Sequence, residues 1–402
     1  LNERRQYNDY AMEYHTAVHQ ERRAQRPLNL RKASIGRAEP DHTGFLSFKN
    51  QLKINSTEFK VTRPLQPILI QNEESLFMLG PFFDFMLEQI LIDLPPNCYV
   101  HAKRNLADME AWFEQYMVFE KYQELDMSGF DGTVRGGAVW LTMLLMRRYG
   151  APEPLIDYYK NLKCSYSVNS KWVFGLMTLS GEQSTYFTNT FFELAREIFK
   201  FNLPSNTPIA VSGDDLLRPP TSMVSHEWET YKTFDFCKEK RTIVEVGSFC
   251  SFNVKSYKSG PGAPMQAVLT KDPVILLQRT LAMIERGKHD DILLGYADHW
   301  HGNYRKIREI IAAHIWTEAE YDCHKLQTWM FMNWRKAGFG RNLDFSRFNG
   351  LSDANYVYEM PTSKIGEIVK WAQSIAAPLI NTPGEITRYT RRQNDPVYYS
   401  DD

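Results

Sequence analysis

The chain has little of what marks a specialised environment. Its five cysteines (Cys98, Cys164, Cys237, Cys250, Cys323) are scattered without a C-x-x-C pair. That pattern excludes a disulfide frame or zinc ribbon and points to reduced thiols in a cytosolic setting. His226-Glu227 lacks the second histidine of a zinc protease, and no G-x-x-x-x-G-K-(S/T) is present, which excludes a helicase P-loop. The longest apolar runs, such as residues 137–146, are too short for a bilayer, so no transmembrane segment is expected. No signal peptide is read at the start, and Leu1 in place of an initiator Met suggests a processed product or a piece of something longer. There is no internal repeat and no low-complexity tract. Neither charge sign dominates: 47 Lys and Arg against 48 Asp and Glu leave a net charge of -1. A nucleic-acid partner would have to rely on local patches, and basic residues are indeed dense from Arg4 to Arg63 and at Lys238, Lys240 and Arg241.

What is present is an ordinary folded composition. The chain has 402 residues, enough for two or three subdomains, and an aromatic content of 13% argues against disorder. Apolar spacing predicts helices over 74–94, 106–120, 134–149 and 185–201. Alternation predicts strands within 45–71, at 122–127 and over 242–254, and a hairpin with strands at 207–211 and 216–217. The part beyond about 265 reads as mostly helical. No linker interrupts the series, so one intertwined α+β unit is expected.

Three short motifs carry chemistry. Asp126-Met-Ser-Gly-Phe-Asp131 puts one carboxylate on a strand and a second where the chain curls after Gly129. Two aspartates in a loop most often cap a helix. Ser180-Gly-Glu-Gln-Ser-Thr185-Tyr-Phe-Thr-Asn189 reads as a flexible Ser180-Gly181 loop entering a helix. Thr185 and Asn189 fall on one face of that helix, where hydroxyl and amide suit a ribose hydroxyl. In isolation the bland reading, a capped helix with polar surface residues, is preferable. Gly213-Asp214-Asp215 lies between apolar flanks, as at a hairpin tip. A bare tripeptide of this kind occurs by chance in about one chain in ten of this length. Adjacent carboxylates repel unless a cation or protons neutralise them. Strand, loop-helix and hairpin come in the order needed to assemble a two-metal site for nucleotidyl transfer, and this order carries more weight than any one motif.

Taken together these motifs resemble the RNA-dependent RNA polymerases of positive-strand RNA viruses, in the alphavirus-like group and its tymovirus and flexivirus type. Residues 180–190 are similar to that group's (S/T)GE-x-x-T-x-x-x-NT, and Ser212 to Asp215 to its SGDD. Phe249-Cys250 resembles the start of its FCGW, with Ser251-Phe252 in place of Gly-Trp, and Lys271-Asp272-Pro273 resembles its KDP segment. The resemblance runs from about Lys49 to about Tyr304.

It implies a right-hand fold: an N-terminal segment and fingers over 1–120, palm over 121–133 and 176–264, a fingers insertion over 134–175, and a helical thumb over 265–402. The palm would be an antiparallel sheet. Asp126 and Asp214, supported by Asp215, would bind two Mg²⁺ ions, with Mn²⁺ able to substitute. Asp131 and Asn189 would sense the 2′-hydroxyl, and Ser180, Gly181 and Thr185 would help place nucleotide and template. Lys49, Lys53, Lys60 and Arg63 would line the path by which nucleotides arrive. Lys240 would be the general acid for pyrophosphate, with Lys238 the competing choice, and Phe249 and Cys250 would grip the primer end. The implied partners are template and nascent RNA, NTPs and other replicase domains (methyltransferase, helicase). The implied place is the host cytoplasm, at membrane-associated replication complexes. Two other functions compete: a reverse transcriptase, against which Ser212-Gly213 and the Asp131/Asn189 pair argue, and a non-catalytic RNA-binding replicase subunit.

Overall fold

The computed structural model describes residues 6–24, 43–48, 53–54, 61–63, most of 67–276 and scattered positions between 309 and 327. Within them the fold is α+β, centred on a five-stranded sheet. Its strands are β5 (Cys98–Val100), β6 (Tyr122–Met127), β9 (Ile209–Ser212), β10 (Asp215–Arg218) and β11 (Glu239–Val244), in the order β11-β6-β10-β9-β5. The neighbours are antiparallel except β5 and β9, which run parallel. The expected all-antiparallel sheet is therefore corrected at one edge. A parallel partner needs a long crossover, which no local pattern reveals.

Strand alternation gives each face of this sheet its own core. Tyr99, Tyr122, Ala210 and Leu217 point to one side and pack with Met109, Phe113 and Phe249. Cys98, Val100, Leu125, Met127, Ile209, Val211 and Leu216 point to the other and meet α2 (Glu73–Asp93), α5 (Gly136–Arg148) and α7 (Thr185–Phe201). On the first side lies a three-stranded sheet of β12 (Gly247–Phe249), β13 (Phe252–Lys258) and β14 (Met265–Lys271). The stretch after 265 thus opens as strand and not as helix. Its residues pair with β13 from Lys258↔Met265 to Phe252↔Lys271, and Ala267 to Thr270 are all buried. A strand buried on both faces shows a continuous apolar run, which periodicity alone cannot separate from a helix.

The remaining elements brace these layers. The helix α1 (Asp9–Ala24) packs on α2, where Gly80 leaves room for the ring of His19 against its backbone. Part of α2, Ser75–Asp93, is long and apolar enough to cross a membrane, contrary to the expectation from the apolar runs. Its Leu79, Phe82, Phe83, Phe85 and Met86 are buried inside the protein, as in a core helix. A four-stranded sheet joins β1 (Thr43–Phe48) and β4 (Pro67–Gln71) to β7 (Tyr166–Val168) and β8 (Trp172–Phe174). The helix α6 (Glu153–Ser165), not foreseen from the sequence, leads into β7, while α3 (Leu106–Tyr116) follows β5 with Asn105 and Asp108 forming a capping box.

Candidate active site

The site is built at the end of the central strands β6 and β10. The last register pair between them is Leu216↔Leu125, so the next step sets Asp215 beside Asp126. The hairpin from β9 to β10 closes on Asp215↔Ser212, leaving Gly213 and Asp214 as a two-residue turn. Gly213 takes a φ of +61° and Asp214 does not adopt positive φ, the pattern of a type II′ turn. Asp126, Asp214 and Asp215 are all exposed at this edge. The hairpin is tied to α7 by Thr190, whose buried hydroxyl accepts the Gly213 N–H at 2.8 Å. Sequence reading quoted Thr190 only as part of a motif. Its role needs the three-dimensional approach of helix and turn.

A fourth carboxylate shares the face. Glu124 lies two residues before Asp126 on the same side of β6 and accepts the Ser248 N–H. Burial raises its pKa, the negative charges of Asp215 and Asp126 add to that, and the Ser248 hydrogen bond opposes it. The Cys250 N–H reaches Asp215 Oδ2 at 3.3 Å, so the β12–β13 hairpin hangs from the carboxylate edge by two bonds. Cys250 and Ser251 form its turn with φ of +50° and +62°, a type I′ pattern made without glycine. The Phe249 side chain is fully buried against Tyr99, His101 and Phe113. That corrects its expected contact with the primer: strand alternation sends the ring into the core, while Ser248 is exposed and the Cys250-Ser251 turn is half-buried.

The chemistry of the carboxylates is that of a cation site. Asp126, Asp214 and Asp215 offer hard oxygen donors, which suit Mg²⁺. Among the described residues no three carboxylate, imidazole or thiolate side chains are gathered closely enough to enclose an ion. Magnesium characteristically binds through one or two carboxylates and completes its shell with substrate phosphates and water, so this open arrangement fits it.

Gly129, with φ of +60°, ends β6 and turns the chain into α4 (Phe130–Thr133). Asp131 is thereby brought to α7, where Asn189 Nδ2 donates to its Oδ1 at 2.7 Å. The sequence-predicted pair is thus in direct contact. Asn189 is buried, and its Oδ1 has no hydrogen-bond partner among the described residues. A buried acceptor left open beside a carboxylate suits a hydroxyl donor.

Thr185 does not join this pair. Its hydroxyl donates to Leu179 O at 2.6 Å and closes the loop before the helix. Spacing of four put it on the same helical face as Asn189, but a first-turn hydroxyl can bond backwards instead. The loop itself is held from three sides. Ser180 O accepts from Leu69 N, Gln71 Oε1 accepts from Gln183 N at 2.7 Å, and buried Glu182 pairs with Lys163 at 2.7 Å. Gly181 has φ of +96°, and a Cβ there would collide with the Leu69 carbonyl. Glycine is required at this position by both contact and backbone angle.

Among the basic residues, Lys240 stands directly across from Asp126 in the β11–β6 register. Lys238 lies just before β11, its carbonyl accepting the Ser128 N–H at 2.9 Å. Lys53 and Arg63 are register partners in the hairpin of β2 (Lys53–Ile54) and β3 (Val61–Arg63). Lys49 and Lys60 lie outside the described residues.

The opposite face of the sheet holds a buried ion network that sequence reading missed. Along α7 it takes in Glu193, Arg196, Glu197 and Lys200; from the sheet side come Arg218, Asp235, Glu239 and Arg241. Burial would raise the Glu239 carboxyl, but bonds from Arg241 and Lys200 and the charge of Arg196 hold it far below the carboxylate range. Glu193 behaves oppositely. Burial pushes it up to about 8 despite Arg196, and its Oε2 has no hydrogen-bond partner among the described residues. The folded state then keeps a proton that the unfolded chain releases near 4.5, so this contribution to stability is full below 4.5 and is lost as pH rises through about 8. Glu193→Gln removes that slope. Its stability relative to the parent, measured by denaturant titration from pH 5 to 9, should climb by about 1 kcal/mol per pH unit from pH 5 to near 7.5 and level off above about 8.

Comparison with known proteins identifies the family. A family model described as RNA dependent RNA polymerase matches residues 16–257. The RNA replication polyprotein of Citrus leaf blotch virus is 25% identical over 254 residues, covering 63% of this chain and 12% of that protein. The non-structural replication polyprotein of Turnip yellow mosaic virus is 27% identical over 272 residues, 66% of this chain and 14% of the relative. The RNA-directed RNA polymerase of Apple chlorotic leaf spot virus is 23% identical over 291 residues, 72% of this chain and 15% of the relative. The chain belongs to the RNA-dependent RNA polymerase family, an enzyme class that here falls among positive-strand RNA viruses. It spans only 12–15% of the length of these three relatives.

Proposed function

We propose that this chain is the catalytic unit of a viral replicase and copies RNA by two-metal nucleotidyl transfer. The observation that carries the proposal is the meeting of Asp126 and Asp215 at one sheet edge, with Asp214 on the turn above them. In this reading the five-stranded sheet is the palm of a right hand. Fingers come from residues 1–120 and 134–175, and the thumb begins beyond β14. Asp126 and Asp214 would hold Mg²⁺ with Asp215 in support; the bound ions would activate the primer 3′-hydroxyl and offset charge on the departing pyrophosphate. The Asp131–Asn189 pair receives the ribose, its open Asn189 acceptor meeting the 2′-hydroxyl. Lys240, across from Asp126, is the group that donates a proton to pyrophosphate. The relatives named as polyproteins support partnership with other replicase domains, and the reading extends to work at membranes of the host cytoplasm.

The test is incorporation of ribo- and deoxyribonucleotides by the purified chain on a short hairpin RNA with Mg²⁺. A preference for ribonucleotides is expected, and preference for dNTPs would overturn the assignment in favour of a reverse transcriptase. Asn189→Ala should narrow the preference by roughly tenfold, about the value of one hydrogen bond to a charged or buried group. An unchanged ratio would remove Asn189 from ribose recognition.

A further inference from the structure

The strand that carries Lys240 has an unusual problem of register. Among the described residues it lies at the sheet edge and is paired to β6 alone, from Glu239↔Met127 to Val244↔Tyr122. None of its six residues is fully buried, and Ile243 is 57% exposed. Apolar burial, which ordinarily fixes the register of a strand, is therefore weak here. A slip of one residue would turn every side chain to the opposite face and take Lys240 away from Asp126.

Charge supplies what burial does not. Glu239 and Arg241 flank Lys240 and so point to the far face, toward α7. Arg241 grips Glu197 with two bonds, Nη1 to Oε1 at 2.8 Å and Nη2 to Oε2 at 2.7 Å. Glu197 Oε1 also accepts Arg218 Nε at 2.6 Å, and Arg218 lies three residues after Asp215 on β10. Glu239 Oε2 accepts from Arg196 at 2.7 Å, and its Oε1 pairs with Lys200. Below them the Phe201 ring carries the guanidinium groups of Arg218 and Arg241 at 4.5 and 4.7 Å from its centroid. One buried carboxylate, Glu197, thus binds the strand bearing Asp215 and the strand bearing Lys240 to a single helix. That helix also carries Asn189. In a slipped register these buried charges would lose their partners, so the network specifies the register more than it adds stability.

We infer that Glu197, Glu239 and Arg241 are positioning residues that hold Lys240 opposite the metal-binding carboxylates during pyrophosphate release. The inference rests on the reading of Lys240 as general acid, and a double-mutant cycle separates the two. Arg241→Met should lower kcat by about tenfold or more while leaving the KM for NTP within about twofold, because a displaced proton donor affects the chemical step and not binding. In a Lys240→Ala background the same change should cost less than about twofold, since there is no donor left to misplace. If Arg241→Met costs as much with Ala at 240 as with Lys, the network is structural only and the positioning role falls. If Lys240→Ala alone keeps full kcat, the general-acid reading fails first and the inference goes with it. Should Arg241→Met not fold, Glu239→Gln keeps the side-chain volume and runs the same cycle with the same expected non-additivity.

Discussion

Asp214→Ala is expected to fold normally and to lose RNA synthesis by about a thousandfold, the several kcal/mol of charge stabilisation that a divalent ion supplies in such a transfer. The expected stability follows from its place. Asp214 is exposed at the second position of a two-residue turn, and its carboxylate makes no hydrogen bond among the described residues. Its removal also relieves repulsion from Asp215 next door. Asp215→Ala would be harder to interpret, because Asp215 also accepts the Cys250 N–H. The measurement is single-nucleotide extension of a hairpin RNA at saturating Mg²⁺, with a thermal melt on the same preparation. An Asp214→Ala protein that keeps more than a tenth of parental activity would show that the ion is held without this carboxylate. A variant that melts far below the parent would show that the turn depends on it structurally.

The carboxylate edge was legible because its parts are local. A glycine followed by two aspartates between apolar runs describes a hairpin tip in five residues, and Asp126 sits at a predictable phase of one short strand. The Asp131–Asn189 contact was legible for a different reason: resemblance to a polymerase family paired two residues that are 58 apart in the chain. Thr185 and Phe249 were misread because face assignment says where a side chain starts and not what it bonds or packs against. The ion network was invisible for a further reason. Its members come from positions as distant as Glu193 and Arg241, and charges spaced along α7 look like a solvated helix face. Only the packing of α7 onto the sheet turns them inward. Likewise β14 reads as a plain apolar run until β13 is set beside it.

These differences have one physical root. Functional oxygen atoms at strand ends and turns must face solvent and substrate, so local sequence rules govern them. The parts that hold them in place work through buried long-range contacts. Here the supports converge on α7: Thr190 holds the Gly213 turn, Asn189 holds Asp131, and Glu197 holds Arg218 and Arg241. A single helix thus sets the hairpin with Asp214 and Asp215, the side chain of Asp131, and the strand of Lys240.

The loop that opens this helix yields the second large effect. Lys163 Nζ meets Glu182 Oε2 at 2.7 Å with side-chain exposures of 2% and 1%. Burial raises the Glu182 pKa, and Lys163 opposes that rise. Lys163→Met should therefore destabilise the protein by ~3–5 kcal/mol, the cost of leaving one member of a buried pair alone. The damage should spread along a defined path. Glu182 follows Gly181, which is wedged against Leu69, and precedes the first turn of α7. A Glu182 that moves toward water drags Ser180 and Gly181 off β4 and tilts the start of the helix bearing Asn189. The KM for NTP should accordingly rise in the surviving folded fraction. The double variant Lys163→Met with Glu182→Leu removes both charges together and should recover most of the lost stability, because well-packed apolar pairs often replace buried ion pairs without loss. Denaturant titration of the three proteins decides the matter. A single variant with the parental midpoint would mean that the loop is held by its backbone bonds alone. A double variant as unstable as the single one would assign the loss to packing around the Lys163 stem and not to an unpaired carboxylate.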